Sequence, residues 1–219
     1  TCVLVVALEG GKSLPWGSGA LYGTLATAAA LFVAFAVVEQ RAADPVLPFD
    51  ALRLRPVAVA NLGNVVVGFA NYLPITFVPL LVQGVRGGDA LATGSVLTAL
   101  GATWSLTAVV SGRIYLALGF RKSAIAGTAG IASGIGIVTG GAMVEAPNTV
   151  LAVGMAIVGW GLGMSSTAFL YAPQGAVPWN RRAAVTSSTQ FARNVAGAIA
   201  VAIAGGWLNG QLLDGAVAR

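Results

Sequence analysis

Residues 57–82 read VAVANLGNVVVGFANYLPITFVPLLV. The run is long and apolar enough to cross a bilayer, which takes about 20 residues. Yet it carries Asn61, Asn64, Asn71, Tyr72 and Pro74. An amide buried without a partner costs a few kcal/mol. These side chains are therefore satisfied by neighbouring helices or exposed to a watery cavity. At 100° per residue, Asn61, Asn64, Gly68, Asn71, Tyr72 and Ile75 share one face about 100° wide. Pro74 removes a backbone hydrogen bond in the outer half and permits a bend there.

Working outward, the rest of the chain has the same character. Apolar residues make up 57% of its 219 residues and charged residues 9%, against roughly 25% charged in a soluble domain. Mean hydropathy is +0.84. Apolar runs at 20–38, 57–82, 90–111, 124–144, 150–172 and 190–208 predict six complete spans. TCVLVVAL at 1–8 is too short to span and reads as the last turns of an earlier one. The expected fold is an all-α integral membrane protein, a polytopic helical bundle of six complete transmembrane helices plus a remnant. The seven acids, Glu9, Glu39, Asp44, Asp50, Asp89, Glu145 and Asp214, fall in connections or at span ends.

Orientation follows from the basic residues, since cytoplasmic loops retain positive charge. One set of alternate connections holds Arg41, Arg53, Arg55, Arg113, Arg121, Lys122, Arg181 and Arg182, with Arg193 just inside the next span. The other set holds Lys12, Arg86 and Arg219. Loops at 39–56, 112–123 and 173–189 are therefore expected inside, and short ones at 9–19, 83–89 and 145–149 outside. The net charge of +5 is scattered rather than gathered in a patch, so nucleic acid is not an expected partner. Prolines at 45, 48 and 56 make the long inner loop a linker along the membrane surface, with Leu47, Phe49, Leu52 and Leu54 dipping into it.

Chemistry is narrowed by what the chain lacks. It has no histidine and one cysteine, Cys2. No metal site, internal disulfide or cofactor is expected. An integral membrane enzyme needs a His, Ser or paired-carboxylate dyad, so no enzyme is expected. The chain opens on Thr1 directly in an apolar run, with no charged region or cleavage signal ahead of it. The expectation is a piece of a longer chain without a signal peptide.

A second row, Trp160, Met164, Thr167 and Tyr171, recurs at spacings of 4, 3 and 4 on the span at 150–172. Amides and hydroxyls that fix orientation, with aromatics and methionine that adapt, suit a cavity for an amphipathic solute. Hydrogen bonding between helices is the alternative for Asn and Thr, and Tyr171 also suits an interfacial anchor. Thr98, Trp104 and Thr107 are further candidates on the span at 90–111. Arg193 either snorkels to the inner interface or pairs with a carboxylate or other anionic group. Thirty glycines include the pairs Gly130/Gly134, Gly136/Gly140 and Gly159/Gly163, which suit close helix packing and helices that slide or rock.

Four stretches carry a family resemblance: EQRAADPVLPFDALRLRPVAVANL at 39–62, FVPLLVQGVRG at 77–87, GRIYLALGFRK at 112–122, and GWGLGMSSTAFLYAPQGAVPWNRRAAVTSSTQFARNVAGAIAVAI at 159–203. In this order and spacing the chain resembles the C-terminal part of a major facilitator superfamily transporter, in the fourteen-span drug:proton antiporter branch. The resemblance implies that 1–56 holds the end of one span, a central-linker span and a cytoplasmic linker. It implies that 57–219 is the C-terminal transporter half without its last span, the N-terminal half being missing. The first and fourth helices of each half line the cavity in that family, which here are 57–82 and 150–172. Gly112, Arg113, Gly119, Arg121 and Lys122 correspond to its cytoplasmic gate loop, although Leu116 stands where the family has an acid.

The implied function is proton-coupled export of drugs or other hydrophobic or amphipathic small molecules by alternating access. The implied partners are a small-molecule substrate, protons, the lipid bilayer and the missing N-terminal half. The implied location is the plasma membrane of a bacterium. The coupling carboxylate is expected in that missing half. The alternative is a non-transporting membrane partner subunit or a decayed transporter fragment.

Overall fold

The computed structural model describes residues 19–41 and 49–217. The remnant expected at 1–8 lies outside them, as do Leu47 and the side chain of Phe49. The elements in order are α1 (Gly19–Arg41), the short α2 (Phe49–Leu52), α3 (Arg55–Pro79), a π-helical turn (Leu80–Val85), α4 (Ala90–Met143), α5 (Asn148–Gly175), a 3-10 turn (Trp179–Arg181) and α6 (Arg182–Val217). Among the described residues, four helical stretches are long and apolar enough to cross a membrane. These are Arg55–Val85, Ala90–Met143, Asn148–Gly175 and Trp179–Leu208. Six complete spans were expected.

Half of that difference lies in α4; the other half is the span expected at 20–38, which falls on α1 and is not among the four. Separate spans were expected at 90–111 and 124–144, with a loop at 112–123 between them. The structure instead carries helix through that loop on both sides of one residue, Gly119, whose φ is 77° and ψ 170°. A straight helix of 54 residues extends about 80 Å, far beyond the roughly 30 Å hydrocarbon core. The contacts show that it reverses direction. Along 100–111 the first arm runs parallel to α5, with Leu100 and Thr103 against Gly159, Thr107 against Gly163, and Ser111 bonded to Thr167. The second arm runs antiparallel, with Gly127 against Ser165, Gly130 against Trp160 and Gly134 against Gly154 and Val158. The two arms therefore lie antiparallel on either side of α5.

This makes α5 the most buried of the four crossing stretches. Leu151, Met155, Val158, Leu162 and Ala168 on it form the core with Val67 of α3, Val96 and Leu100 of the first arm, and Ile131 of the second. Two of the three glycine pairs explain the close approach. A Cβ on Gly134 would sit 2.7 Å from Gly154 O, and one on Gly159 2.3 Å from Leu100 O. Gly136 and Gly140 behave differently, since a Cβ on either meets nothing within 4 Å. That pair faces away from any described neighbour, so the pattern alone does not make it a packing site.

α3 packs mainly on α6 and runs parallel to it. Gly68 marks the closest approach, where an added Cβ would lie 2.3 Å from Arg193 O. Four residues on, the Tyr72 ring rests on Gly197. Pro74 and Pro79 each remove a helix donor, and the helix widens into the π turn directly after the second. At the end of the bundle where α3 begins, Ala51, Val57, Val177 and Val185 form a small cluster that Leu52 joins. Leu52 thus packs on protein, while Leu54 stays exposed.

Arg86 closes the opposite end. Its guanidinium donates to Ala146 O at 2.6 Å, Gly141 O at 3.1 Å and Asn148 Oδ1 at 3.1 Å. Gly141 O lies in the last turn of α4, where helix bonds run out and the dipole favours a cation, and Ala146 O lies in the connection that follows. We predict that Arg86→Ala lowers stability by about 1–2 kcal/mol, read as an earlier thermal transition of the full-length protein in detergent. Arg86→Lys recovers part of the loss, since an ammonium cannot span three acceptors as a guanidinium fork does.

Candidate substrate cavity

Four helices converge on a cavity of about 220 Å³ lined by Asn64 of α3, Ala108 of α4, Ser166, Thr167 and Leu170 of α5, and Thr189, Gln190 and Arg193 of α6. Its polarity is set by local helix bonding. Asn64 is 4% exposed, and its Nδ2 donates to Ala60 O at 2.9 Å. Such a bond to the preceding turn satisfies one amide hydrogen and leaves the other available. Thr167 Oγ1 bonds Gly163 O at 3.0 Å and lies 2.5 Å from Ser111 Oγ, joining α5 to the first arm of α4. Thr189 Oγ1 donates to Thr186 O at 2.8 Å. The Ser166 hydroxyl is buried with no partner. Arg193 Nη2 donates to Gln190 Oε1.

The two predicted rows divide on the structure. Asn64 and Thr167 come together on the cavity, each from the helix expected to supply it. Asn61 bonds Val57 O at 2.9 Å on its own helix. Asn71 is half-buried, and its Oδ1 has no partner. Tyr72 reaches α6 and donates to Asn194 Oδ1 at 3.3 Å, a link between helices. Trp160 lies over Gly130 and is partly exposed, while Met164 is buried. The Tyr171 ring stands 6.0 Å from that of Tyr115, half in the open. None of these six lines the cavity at Asn64.

Arg193 does line it. Among the described residues its guanidinium meets the Gln190 amide and no carboxylate. Arg113, Arg121 and Lys122 are exposed around the reversal at Gly119, and Gly112 has open space where a Cβ would go. Ser166, Thr189 and Gln190 were not anticipated. Thr186, Thr189, Gln190 and Arg193 fall at i, i+3, i+4 and i+7 on α6, a one-face polar row like that on α3. No group of His, Cys, Asp or Glu that could hold a metal occurs among the described residues.

A second hollow, about 450 Å³, lies between α3, the second arm of α4 and α5. Its walls are almost wholly apolar, with Phe69, Leu73, Pro74, Phe77, Ile135 and Met155 prominent.

No family model matches the chain. It is 29% identical over 209 residues to a multidrug transporter protein of Bacillus subtilis (strain 168), covering 95% of this chain and 38% of that protein. It is 27% identical over 203 residues to a tetracycline resistance determinant of Streptomyces rimosus, covering 91% of this chain and 58% of that protein. Over a shorter stretch of 94 residues it is 35% identical to an MFS-type transporter of Mycobacterium tuberculosis (strain CDC 1551 / Oshkosh), which is 43% of this chain and 14% of that protein. The chain spans about two fifths to three fifths of the length of the first two. These relatives are transporters or resistance determinants by name, not enzymes. The likeness to the major facilitator superfamily read from the sequence is thus borne out: this membrane chain, without strands among the described residues, is similar to its multidrug transporters.

Proposed function

We propose that the chain forms one wall of the substrate pathway in a secondary transporter that exports hydrophobic or amphipathic small molecules. The observation that carries this is the polar cavity at Asn64 and Thr167, set where four helices meet in an otherwise apolar bundle. The transporter works by alternating access in the plasma membrane of a bacterium, with proton influx driving export. Reversal at Gly119 supports the first part, because a bundle built from opposed arms presents a site near the midplane that two halves can rock around. The coupling acid is assigned outside the cavity described, since Asp89 caps α4 and Glu145 sits in the turn after it.

Efflux of a fluorescent amphipathic dye from cells making the full-length protein tests this. Asn64→Leu and Thr167→Val should each slow efflux about tenfold, the equivalent of one lost hydrogen bond at the site. A protonophore should stop it. Unchanged efflux in both variants contradicts the cavity assignment. Efflux that survives collapse of the proton gradient contradicts the coupling. A full-length protein that makes no difference to dye retention favours a non-transporting partner subunit.

A further inference from the structure

We propose that the cavity at Arg193 binds an anionic group, a carboxylate or its equivalent, on the transported molecule. The proposal rests on the export reading above and names the class of substrate. It starts from an imbalance. The polar lining carries no acid, and Asn64, Ser166, Gln190 and Arg193 each have a donor left over. Arginine holds its charge at any pH a cell meets, and a cation within an apolar bundle is costly unless something answers it. Among the described residues, what answers it is the side-chain oxygen of Gln190, a neutral partner.

That bond also orients the site. With Gln190 Oε1 occupied by Arg193, the Gln190 amide presents its two N–H groups elsewhere. Ser166 adds a buried hydroxyl with no partner. Asn64 has one amide hydrogen committed to Ala60 O and one remaining. Thr189 and Thr167 already donate to backbone carbonyls, so they offer the cavity no further hydrogen. A guanidinium with amide and hydroxyl donors around one hollow matches a carboxylate, which is acceptor-only and takes bidentate contact. A cationic group would meet like charge and find no carboxylate in the lining.

The test is binding to the purified full-length protein of two tritiated probes, 1-naphthylacetate and its methyl ester, by scintillation proximity. They differ in charge and hardly in size. The wild type should bind the acid at least tenfold more tightly than the ester. Arg193→Gln should remove that preference, weakening the acid tenfold or more and leaving the ester unchanged. Arg193→Lys should keep part of it, and both variants should elute as the wild type does on gel filtration. Equal binding of acid and ester by the wild type overturns the proposal, as does failure to bind the acid. So does an Arg193→Gln variant that loses both probes equally, which marks a packing role, or one that loses neither, which marks a protein carboxylate as the partner. If dye efflux persists in any of those cases, the exporter reading survives and the anion assignment alone falls.

Discussion

Gly161→Leu should prevent the bundle from assembling, and Gly161→Ala should weaken it by about 1–3 kcal/mol. Gly161 lies where α5 meets the second arm of α4. A Cβ there would fall 2.6 Å from both Gly127 O and Ile131 N, and 3.0 Å from Gly130 C. All three are backbone atoms, so no side chain can swing aside. The helices themselves must separate. Gly127 faces the same seam from the other side, with its own added Cβ 2.6 Å from Ser165 N. In lipid no water is released by bringing helices together, so close packing at small residues carries a large share of their association. The check is the melting of the full-length protein in detergent, together with its yield in the membrane. Gly136→Ala is the control: it meets nothing within 4 Å and gains up to about 1 kcal/mol of helix propensity. If Gly161→Ala and Gly136→Ala melt alike, the seam is wrong.

The second large effect is expected at Gly119. At φ 77° and ψ 170°, its backbone occupies a region that is essentially reserved for glycine, at a cost of about 1–3 kcal/mol for other residues. A Cβ there meets nothing within 4 Å, so the penalty is purely conformational. Gly119→Ala should therefore lower the melting temperature. Gly112→Ala, also in open space but within regular helix, should leave it unchanged or raise it. A substituted chain that avoids the strain would continue α4 as helix and misplace the second arm. Its protease sensitivity at 112–123 would then change as well. Equal melting of the two variants contradicts the reversal.

How much of this was legible in the sequence depends on what each signal reports. Hydropathy located α3, α5 and α6 because membrane length and apolar content are properties of the run itself. It did not distinguish a loop at 112–123 from helix broken at one residue, since GRIYLALGFRK is apolar enough for either and the break is set by one glycine's dihedrals. Glycine spacing identified Gly130/Gly134 and Gly159/Gly163 as contacts. The same spacing at Gly136/Gly140 marks an open face, because spacing fixes which residues share a face and not what lies opposite it.

The amide stripe shows the same limit within one helix. Asn61, Asn64 and Tyr72 do share a side of α3, but Gly68 and Tyr72 press that side onto α6, leaving Asn64 at the margin where the cavity opens. The row on α6 was harder to see. TSSTQ at 186–190 is polar all round, so its hydroxyls and amide single out no face until the neighbours are in place.

The most direct test of the account is whether water reaches the cavity. Single cysteines at Asn64, Thr167 and the fully buried Val158 would be placed in a cysteine-free full-length protein in native membranes. Each would then be treated with a charged, water-soluble methanethiosulfonate. The cavity predicts that Asn64→Cys and Thr167→Cys are labelled, more slowly when a transported dye is present, while Val158→Cys is not. If all three stay equally inert, the polar residues are packing between helices, and the chain has no substrate wall at this place.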